Sequence, residues 1–351
     1  MRIAIVNDTL LAVEALRRVI STVPDYEIAW VAYDGADAVS KAAVDTPDLI
    51  LMDLIMPVLD GVSATRRIMM QSPCAIVIIT ATVKGNAAKV FEAMSAGALD
   101  ALNTPVLGGS GVTEGQADLL RKLNTIDRLL KATARTRVAP ITHIPARRPD
   151  HKIPLLAIGA STGGPGALNI LLGGLGADFP GAIVIAQHMD EQFLASFVDW
   201  LNSQSKLPVR MAEQHAIPEA GVVLVAGSKD HLIMNAAGVF VHSPEPADYP
   251  YHPSVNAFFE SVAKHWTGRA TGVLLTGMGR DGADGLLAMR QRGFQTFAQD
   301  ENTSAVYGMP KAAAEIGAAC EVLALPAIAA RVRQTMAEAE NTLIHRTGGS
   351  K

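Results

Sequence analysis

The sequence predicts an α/β protein of two doubly wound domains, a five-stranded one at the N-terminus and a larger one behind it. Three observations carry that expectation. Short apolar runs alternate with amphipathic stretches throughout, the signature of βα units feeding a parallel sheet. Two of those runs end on one polar, reactive side chain: Leu49-Ile50-Leu51-Met52 on Asp53, and Leu155-Leu156-Ala157-Ile158-Gly159-Ala160 on Ser161. Between the two series lies an aperiodic stretch, Thr136 to Lys152, that holds Pro140, Pro145 and Pro149. Proline removes amide donors and punctuates structure, so this stretch reads as a linker.

In the first domain, residues 1–106, strands are expected at Arg2–Val6, Glu27–Ala32, Leu49–Met52, Ala75–Thr80 and Leu99–Leu102. A helix starts near Thr9, where Leu10, Leu11, Val13, Leu16, Val19 and Ile20 form an apolar stripe at helical spacing. Five strands with right-handed crossovers make a doubly wound sheet. Met56-Pro57 gives a turn, and Asp60 is placed to cap the next helix. Residues 107–152 read as a loop, a helix over Gln116–Ala134, and the linker. Nine Lys or Arg lie from Arg121 to Lys152, against Asp127 and Asp150. That run is either a solvated helix face and tether or a docking surface for an acidic partner or an anionic membrane. The second series, residues 153–335, has strands expected at Leu155–Gly159, Ala182–Ala186, Val222–Ala226, Val239–His242, Thr271–Thr276 and Gln295–Ala298. Residues 336–351 carry few apolar anchors and are expected to fray as a tail.

Composition narrows the classes. A chain of 351 residues, 49% hydrophobic and 18% charged, has enough apolar material for two cores and is not a disordered protein. Net charge −4 gives no ground for global nucleic-acid binding. Cys74 and Cys320 are the only cysteines, too few for a disulfide framework or a thiolate metal site. No apolar run reaches the ~18 residues of a membrane helix, and Met1 to Val6 leads directly into a strand pattern rather than a secretory segment. A soluble, cytoplasmic protein without direct membrane insertion is expected.

In a parallel sheet the residues just past the carboxyl ends of the strands converge on one crevice. In the first domain these are Asn7 and Asp8, Asp53, Thr80, and Thr104-Pro105. Clustered oxygen ligands beside a carboxylate suit Mg²⁺, with Asp8 and Asp53 as the ligands and Asn7 as a weaker candidate. In the second domain, Gly159-Ala160-Ser161-Thr162-Gly163 fits the strand–turn–helix pattern of an exposed nucleophile. The glycines relieve crowding at the turn, and Pro165 suits the first turn of the helix. The same turn could equally cradle a phosphate or a nucleotide. A serine needs a base, and the base an orienting acid. His188 follows the next apolar strand, and Asp281 lies in a glycine turn after Thr271–Thr276. Three strand ends thus supply Ser161, His188 and Asp281. The order Ser, His, Asp differs from the Ser, Asp, His of α/β-hydrolases, so the turn does not imply that fold. His215, His231 and His252 read as structural or rim residues, and Trp200 and Trp266 as core.

Residues 1 to about 106 resemble the response-regulator receiver family. That resemblance implies Asp53 as phosphoacceptor, Asp8 as a Mg²⁺ ligand and Thr80 as a contact to the phosphoryl group, with small Ala81 leaving room. Three positions depart from the pattern: Asn7 where a second acid is usual, Thr104 for the usual lysine, and Ala101 for the usual aromatic. Weak Mg²⁺ affinity and altered switching are expected. Residues 153–335 closely resemble the CheB protein-glutamate methylesterase family. The match runs through 159–164, Gln187-His188-Met189, His252-Pro253-Ser254-Val255, 275–282, Ala298-Gln299-Asp300-Glu301 and Gly308-Met309-Pro310. It implies Ser161 as nucleophile, His188 as base, Asp281 as orienting acid, and an oxyanion hole from the amides of Thr162 and Met278. The implied substrate is a glutamate γ-methyl ester on the cytoplasmic domain of a chemoreceptor, giving glutamate and methanol, with glutamine deamidation in some members. No cofactor is expected for that reaction. A CheA-like histidine kinase would be the phosphodonor, and a receiver that obstructs the crevice until phosphorylated would regulate it. Met1–Asp8, Ala12–Arg18 and Asn103-Thr104-Pro105 are similar to the WspF branch, which serves a surface-sensing pathway controlling cyclic-di-GMP output. The rival is a non-catalytic phosphate sink or scaffold that binds receptor and kinase. A general esterase is a further rival, and would need a deep apolar acyl pocket.

Overall fold

The computed structural model describes residues 1–107, 113–131, 153–189, 191–227, 230–246, 249 and 251–347. The chain divides into two compact units, Met1–Thr136 and Arg137–Lys351. The linker expected at Thr136–Lys152 lies outside the described residues.

The first unit runs β1 (Arg2–Val6), α1 (Leu10–Ile20), β2 (Glu27–Ala32), α2 (Gly35–Val44), β3 (Leu49–Asp53), α3 (Gly61–Gln71), β4 (Ala75–Thr80), α4 (Ala87–Ser95) and β5 (Asp100–Asn103). A two-stranded pair, β6 (Val106–Leu107) and β7 (Thr113–Glu114), leads to α5 (Gln116–Lys131). The main sheet has the order β2-β1-β3-β4-β5, with every pairing parallel. Its strands are near-continuous Ile, Val and Leu because helices cover both faces. Asp34 and Asp60 cap α2 and α3, accepting the amides of Ala36 and Asp37, and of Ser63. The five strands fall where the sequence places them, to within a residue at each end.

The receiver reading ended at residue 106 and left the following helix to the linker region. Leu119, Leu123 and Ile126 of α5 are instead buried in one cluster with Ile3, Ile5, Leu16, Val19 and Leu51. The amphipathic stripe had to cover something, and it covers the face of β1 and β3 beside α1.

The second unit is built on β8 (Leu155–Ala160), α6 (Gly164–Leu175), β9 (Ala182–Gln187), α7 (Glu191–Gln204), β10 (Val209–Met211) and β11 (Val223–Val225). It continues through β12 (His231–Met234), β13 (Phe240–Ser243), α8 (Val255–His265), β14 (Ala270–Leu274), α9 (Ala283–Gln291), β15 (Gln295–Gln299), α10 (Met309–Glu315), β16 (Glu321–Leu323) and α11 (Leu325–Thr347). Seven parallel strands run in the order β10-β11-β9-β8-β14-β15-β16. The segment expected as a sheet strand at Val239–His242 pairs antiparallel with β12 in a separate hairpin, turning at Asn235 to Gly238. Its alternation fits any half-covered strand and does not say which sheet it joins. The expected tail is helical from Leu325 as far as Thr347, with Met336 still buried.

The chain winds one way from β8 through β9 to β11 and β10, then returns to β14 on the other side of β8 and proceeds to β15 and β16. The β8/β14 boundary is therefore the topological switch point, where crevices form outside the carboxyl ends of parallel strands.

Candidate active site

Ser161 directly follows β8, His188 directly follows β9, and Asp281 lies in the turn between β14 and α9. These strands are neighbours in the order β9-β8-β14, so the three residues lie at the switch point, and His188 and Asp281 meet there side chain to side chain. Ser161 is fixed through its backbone. Its amide donates to Thr276 O at 3.0 Å, and its carbonyl accepts from Gly164 N at 2.7 Å and from Gln187 Nε2 at 2.9 Å. The turn needs glycine at two places. Gly163 has φ +77°, a left-handed conformation that disfavours side chains. Gly277 lies so close that a Cβ there would stand 2.7 Å from Ser161 Cβ. Thr162, expected to lend its amide, is held by its carbonyl, which accepts from Thr276 Oγ1 at 2.9 Å. Met278, the other expected amide donor, is half-buried immediately after Gly277.

His188 Nε2 donates to Asp281 Oδ2 at 2.7 Å, and its backbone amide donates to Ala160 O at 3.0 Å. With Nε2 occupied by the acid, Nδ1 is buried and has no hydrogen-bond partner. A buried unpaired ring nitrogen is costly, and it persists where chemistry uses it. Tyr251 lies flat over the imidazole, with ring centroids 4.4 Å apart and planes 15° from parallel. Gln187, just before the histidine, ties the two catalytic turns together by donating to both Ser161 O and His188 O.

Asp281 is held by five hydrogen-bond donors. Besides His188 it accepts from Val255 N (2.7 Å), Ser254 Oγ (2.9 Å), Asn256 N (3.0 Å) and Gly282 N (3.1 Å). Ser254 is the N-cap of α8, so the carboxylate sits on the positive end of that helix. Burial alone would raise its pKa. The hydrogen bond and charge of His188, with the amides of Asn256 and Val255, outweigh that and hold it below the usual carboxylate range. Ser254, Tyr251 and Gln187 carried no role in the sequence reading. The available signal was a serine directly ahead of an apolar helical run at Val255, a capping pattern.

The first unit has a second site at the carboxyl ends of its strands. Asp53 Oδ1 accepts from Leu54 N at 2.7 Å, and Oδ2 from Asn7 Nδ2 at 3.1 Å. Burial pushes the Asp53 carboxyl up to about 6, against the pull of the Leu54 and Ile55 amides and with added repulsion from Asp8. Asn7 is buried, and its amide oxygen is committed to Thr9 N at 2.8 Å, so it faces Asp53 as a donor rather than a metal ligand. Asp8 is exposed, and Thr80 is buried with its Oγ1 accepting from Asn86 Nδ2 at 2.9 Å. Thr104 is half-buried and places no cation at the lysine position; its amide donates to Thr80 O. The donor set fits Mg²⁺ in its chemistry: two carboxylates whose like charges repel, with Asn7 where a further acid would add a charge. Among the described residues, no group of three His, Cys, Asp or Glu side chains is placed to hold a metal alone. No described helix is long and apolar enough to cross a membrane.

A serine, a histidine and a helix-seated aspartate at a parallel-sheet switch point, following a five-stranded unit with a half-buried aspartate at a strand end, fit a receiver-linked ester hydrolase. Residues 156–332 match the CheB methylesterase family and residues 3–108 match the response regulator receiver domain. The chain belongs to the CheB methylesterase family. It is 56% identical to protein-glutamate methylesterase/protein-glutamine glutaminase 2 of Cupriavidus metallidurans, over 95% of this chain and 98% of that one. It is 54% identical to protein-glutamate methylesterase/protein-glutamine glutaminase 3 of Pseudomonas savastanoi pv. phaseolicola, with the same coverage. The CheB methylesterase catalytic domain of Thermotoga maritima superposes with a TM-score of 0.50 at 33% identity, covering 52% of this chain and 97% of that one.

Proposed function

We propose that this protein hydrolyses glutamate γ-methyl esters on the cytoplasmic domain of a methyl-accepting chemoreceptor, under control of phosphorylation at Asp53. The observation that carries the reading is the pairing of His188 Nε2 with a helix-seated Asp281, which leaves a buried, unpartnered Nδ1 beside the Ser161 turn.

The chemistry follows from that arrangement. His188 Nδ1 takes the proton of Ser161 Oγ as the oxygen attacks the γ-carbonyl carbon. The charge moves to the carbonyl oxygen, which the amides of Thr162 and Met278 would bind in this reading. The C–O bond to the methoxy group breaks, and methanol leaves with the proton returned by His188. Water then attacks the seryl ester, His188 again acting as base, and glutamate departs as the free carboxylate. Asp281 stays ionised throughout and stabilises the imidazolium. A glutamine side chain would follow the same path with ammonia as leaving group, the second activity in the relatives' names.

In the receiver, Asp8 and Asp53 would hold Mg²⁺, which screens the like charges of carboxylate and phosphoryl donor. In this reading Asp53 accepts the phosphoryl group from a CheA-like histidine kinase, and the Thr80 hydroxyl contacts that group. The WspF branch, read from the residues of the first unit, sets the pathway proposed for this activity.

The test is methanol release from a methylated receptor fragment, with wild type and Ser161→Ala, each with and without a small-molecule phosphodonor and Mg²⁺. Release that vanishes in Ser161→Ala and rises with phosphodonor is expected. No release from a verified methylated substrate would leave the phosphate-sink reading standing instead.

A further inference from the structure

The hydrogen bonds of the active site continue beyond the triad to a histidine that the chemistry above does not use. His231, at the start of β12, is fully buried. Its Nδ1 accepts from the backbone amide of Ser254 at 3.0 Å, and its Nε2 donates to Pro246 O at 2.9 Å. Those partners fix one neutral tautomer, because an N–H already points at Nδ1 and no proton can be added there without breaking that bond. The ring of His252 stacks on it at 4.4 Å and 21°, and Tyr249 meets it edge-on at 6.0 Å. Ser254, gripped by its amide, is the residue whose Oγ donates to Asp281 Oδ1 and which caps α8 by accepting from Ala257 N.

We propose that His231 is a positioning residue for catalysis: its neutral Nδ1 holds the Ser254 amide, and thereby aims the Ser254 hydroxyl and the first amides of α8 at Asp281. The proposal rests on the triad reading given above. A ring at this place has a specific advantage. An apolar side chain would leave the buried Ser254 amide unpaired, and a charged one would compete with His188 for the field of Asp281. The environment keeps His231 uncharged: burial lowers its pKa, and His252 opposes a second positive charge, outweighing the pull of Asp281, Asp230 and the Pro246 carbonyl. Two imidazoles thus flank one carboxylate through different routes, and only His188 is free to gain a proton during turnover.

The test compares four variants of the full-length protein on methylated receptor fragment: Ser254→Ala, His231→Leu, His231→Asn and the double variant His231→Leu/Ser254→Ala. Methanol release is followed as kcat/KM against pH, with thermal unfolding recorded alongside. Losing the Ser254 hydroxyl leaves Asp281 with a less dispersed charge, which stabilises the imidazolium of His188. The acidic limb of the profile is therefore expected to move to higher pH in Ser254→Ala, with kcat/KM down about 10-fold or more. His231→Leu is expected to reproduce both changes. The double variant is expected to be no worse than Ser254→Ala alone, since both act through one contact. Asn carries an oxygen close to the Nδ1 position, so His231→Asn is expected to keep the wild-type limb.

A His231→Leu protein that folds and loses activity with an unmoved acidic limb overturns the proposal, as does a double variant whose losses simply add. Failure of the triad reading is distinguishable, because Ser161→Ala would then release methanol like wild type.

Discussion

Asp281 and Asp53 both lie on the carboxyl-end side of a parallel sheet, Asp53 as the last residue of β3 and Asp281 in the turn after β14, and their surroundings treat charge in opposite ways. Asp281 is the more deeply buried, yet five donors surround it and it stays ionised below the ordinary carboxylate range. Asp53 has fewer donors, so burial, with the added repulsion of Asp8, pushes its pKa up to about 6. Burial alone therefore does not decide the state of a carboxylate; the donors set against it do. The first site is finished before substrate arrives. The second is left incomplete, and a cation and a phosphoryl group would complete it.

The largest effect should come from breaking the finished site. Asp281→Asn puts an amide where five donors converge, so it cannot satisfy them and it removes the counter-charge to His188. A fall in kcat of about 10³–10⁴-fold is expected in methanol release, with the protein still folded. A fall under tenfold would mean that Asp281 is a structural cap of α8 and not the orienting acid.

Asp53→Asn should do the reverse. It is expected to leave serine-dependent release intact and to abolish any stimulation by phosphodonor. It should also stabilise the receiver at neutral pH. Because the folded-state pKa is raised, the stability linked to this group is fully present below its unfolded value of ~4 and is lost as pH rises through about 6. Melting of Asp53→Asn should exceed wild type at pH 7.5 and match it at pH 4. Equal melting at both would show that Asp53 carries no such penalty.

A smaller change is expected at the ring over His188. Tyr251→Ala removes a stacked face that supports the imidazolium, and about a tenfold loss in kcat/KM should follow, while Tyr251→Phe keeps the stack and stays near wild type. Equal losses in the two would assign the role to the hydroxyl. The smallest effect is on metal binding. Asn7→Asp supplies the absent charge and should tighten Mg²⁺ by roughly tenfold, read from the shift of Asp53 carboxyl resonances during titration. Tight binding by the wild type would contradict the expectation drawn from Asn7.

Much of this was legible in the sequence because strand ends advertise themselves. Asp53, Ser161 and His188 each terminate an apolar run, and Asp281 follows one within a glycine turn, so periodicity marked them as strand-end candidates and the family resemblance implied their roles. What escaped was information carried by hydrogen bonds. Ser254, His231 and Tyr251 come from a cap, a hairpin and a loop, elements with no long period to read. The three- and four-residue strands β10, β12 and β16 were too short to register, and Val239–His242 matched any strand without naming its partner. The helix Gln116–Lys131 was recognised by its stripe, while the sheet face that the stripe covers was not.

One consequence of the switch-point arrangement concerns time. Ser161 and His188 lie on the half of the sheet synthesised first, and Asp281 comes on the half that folds back beside it, 93 residues after His188. No contiguous fragment up to α8 holds a working constellation. A ribosome-bound chain still growing through α8 would therefore carry the serine and histidine with no Asp281 behind them, and it is expected to be inert toward esters. Activity switches on only when β14 zips against β8, so the appearance of methanol in a translation reaction would date that strand pairing.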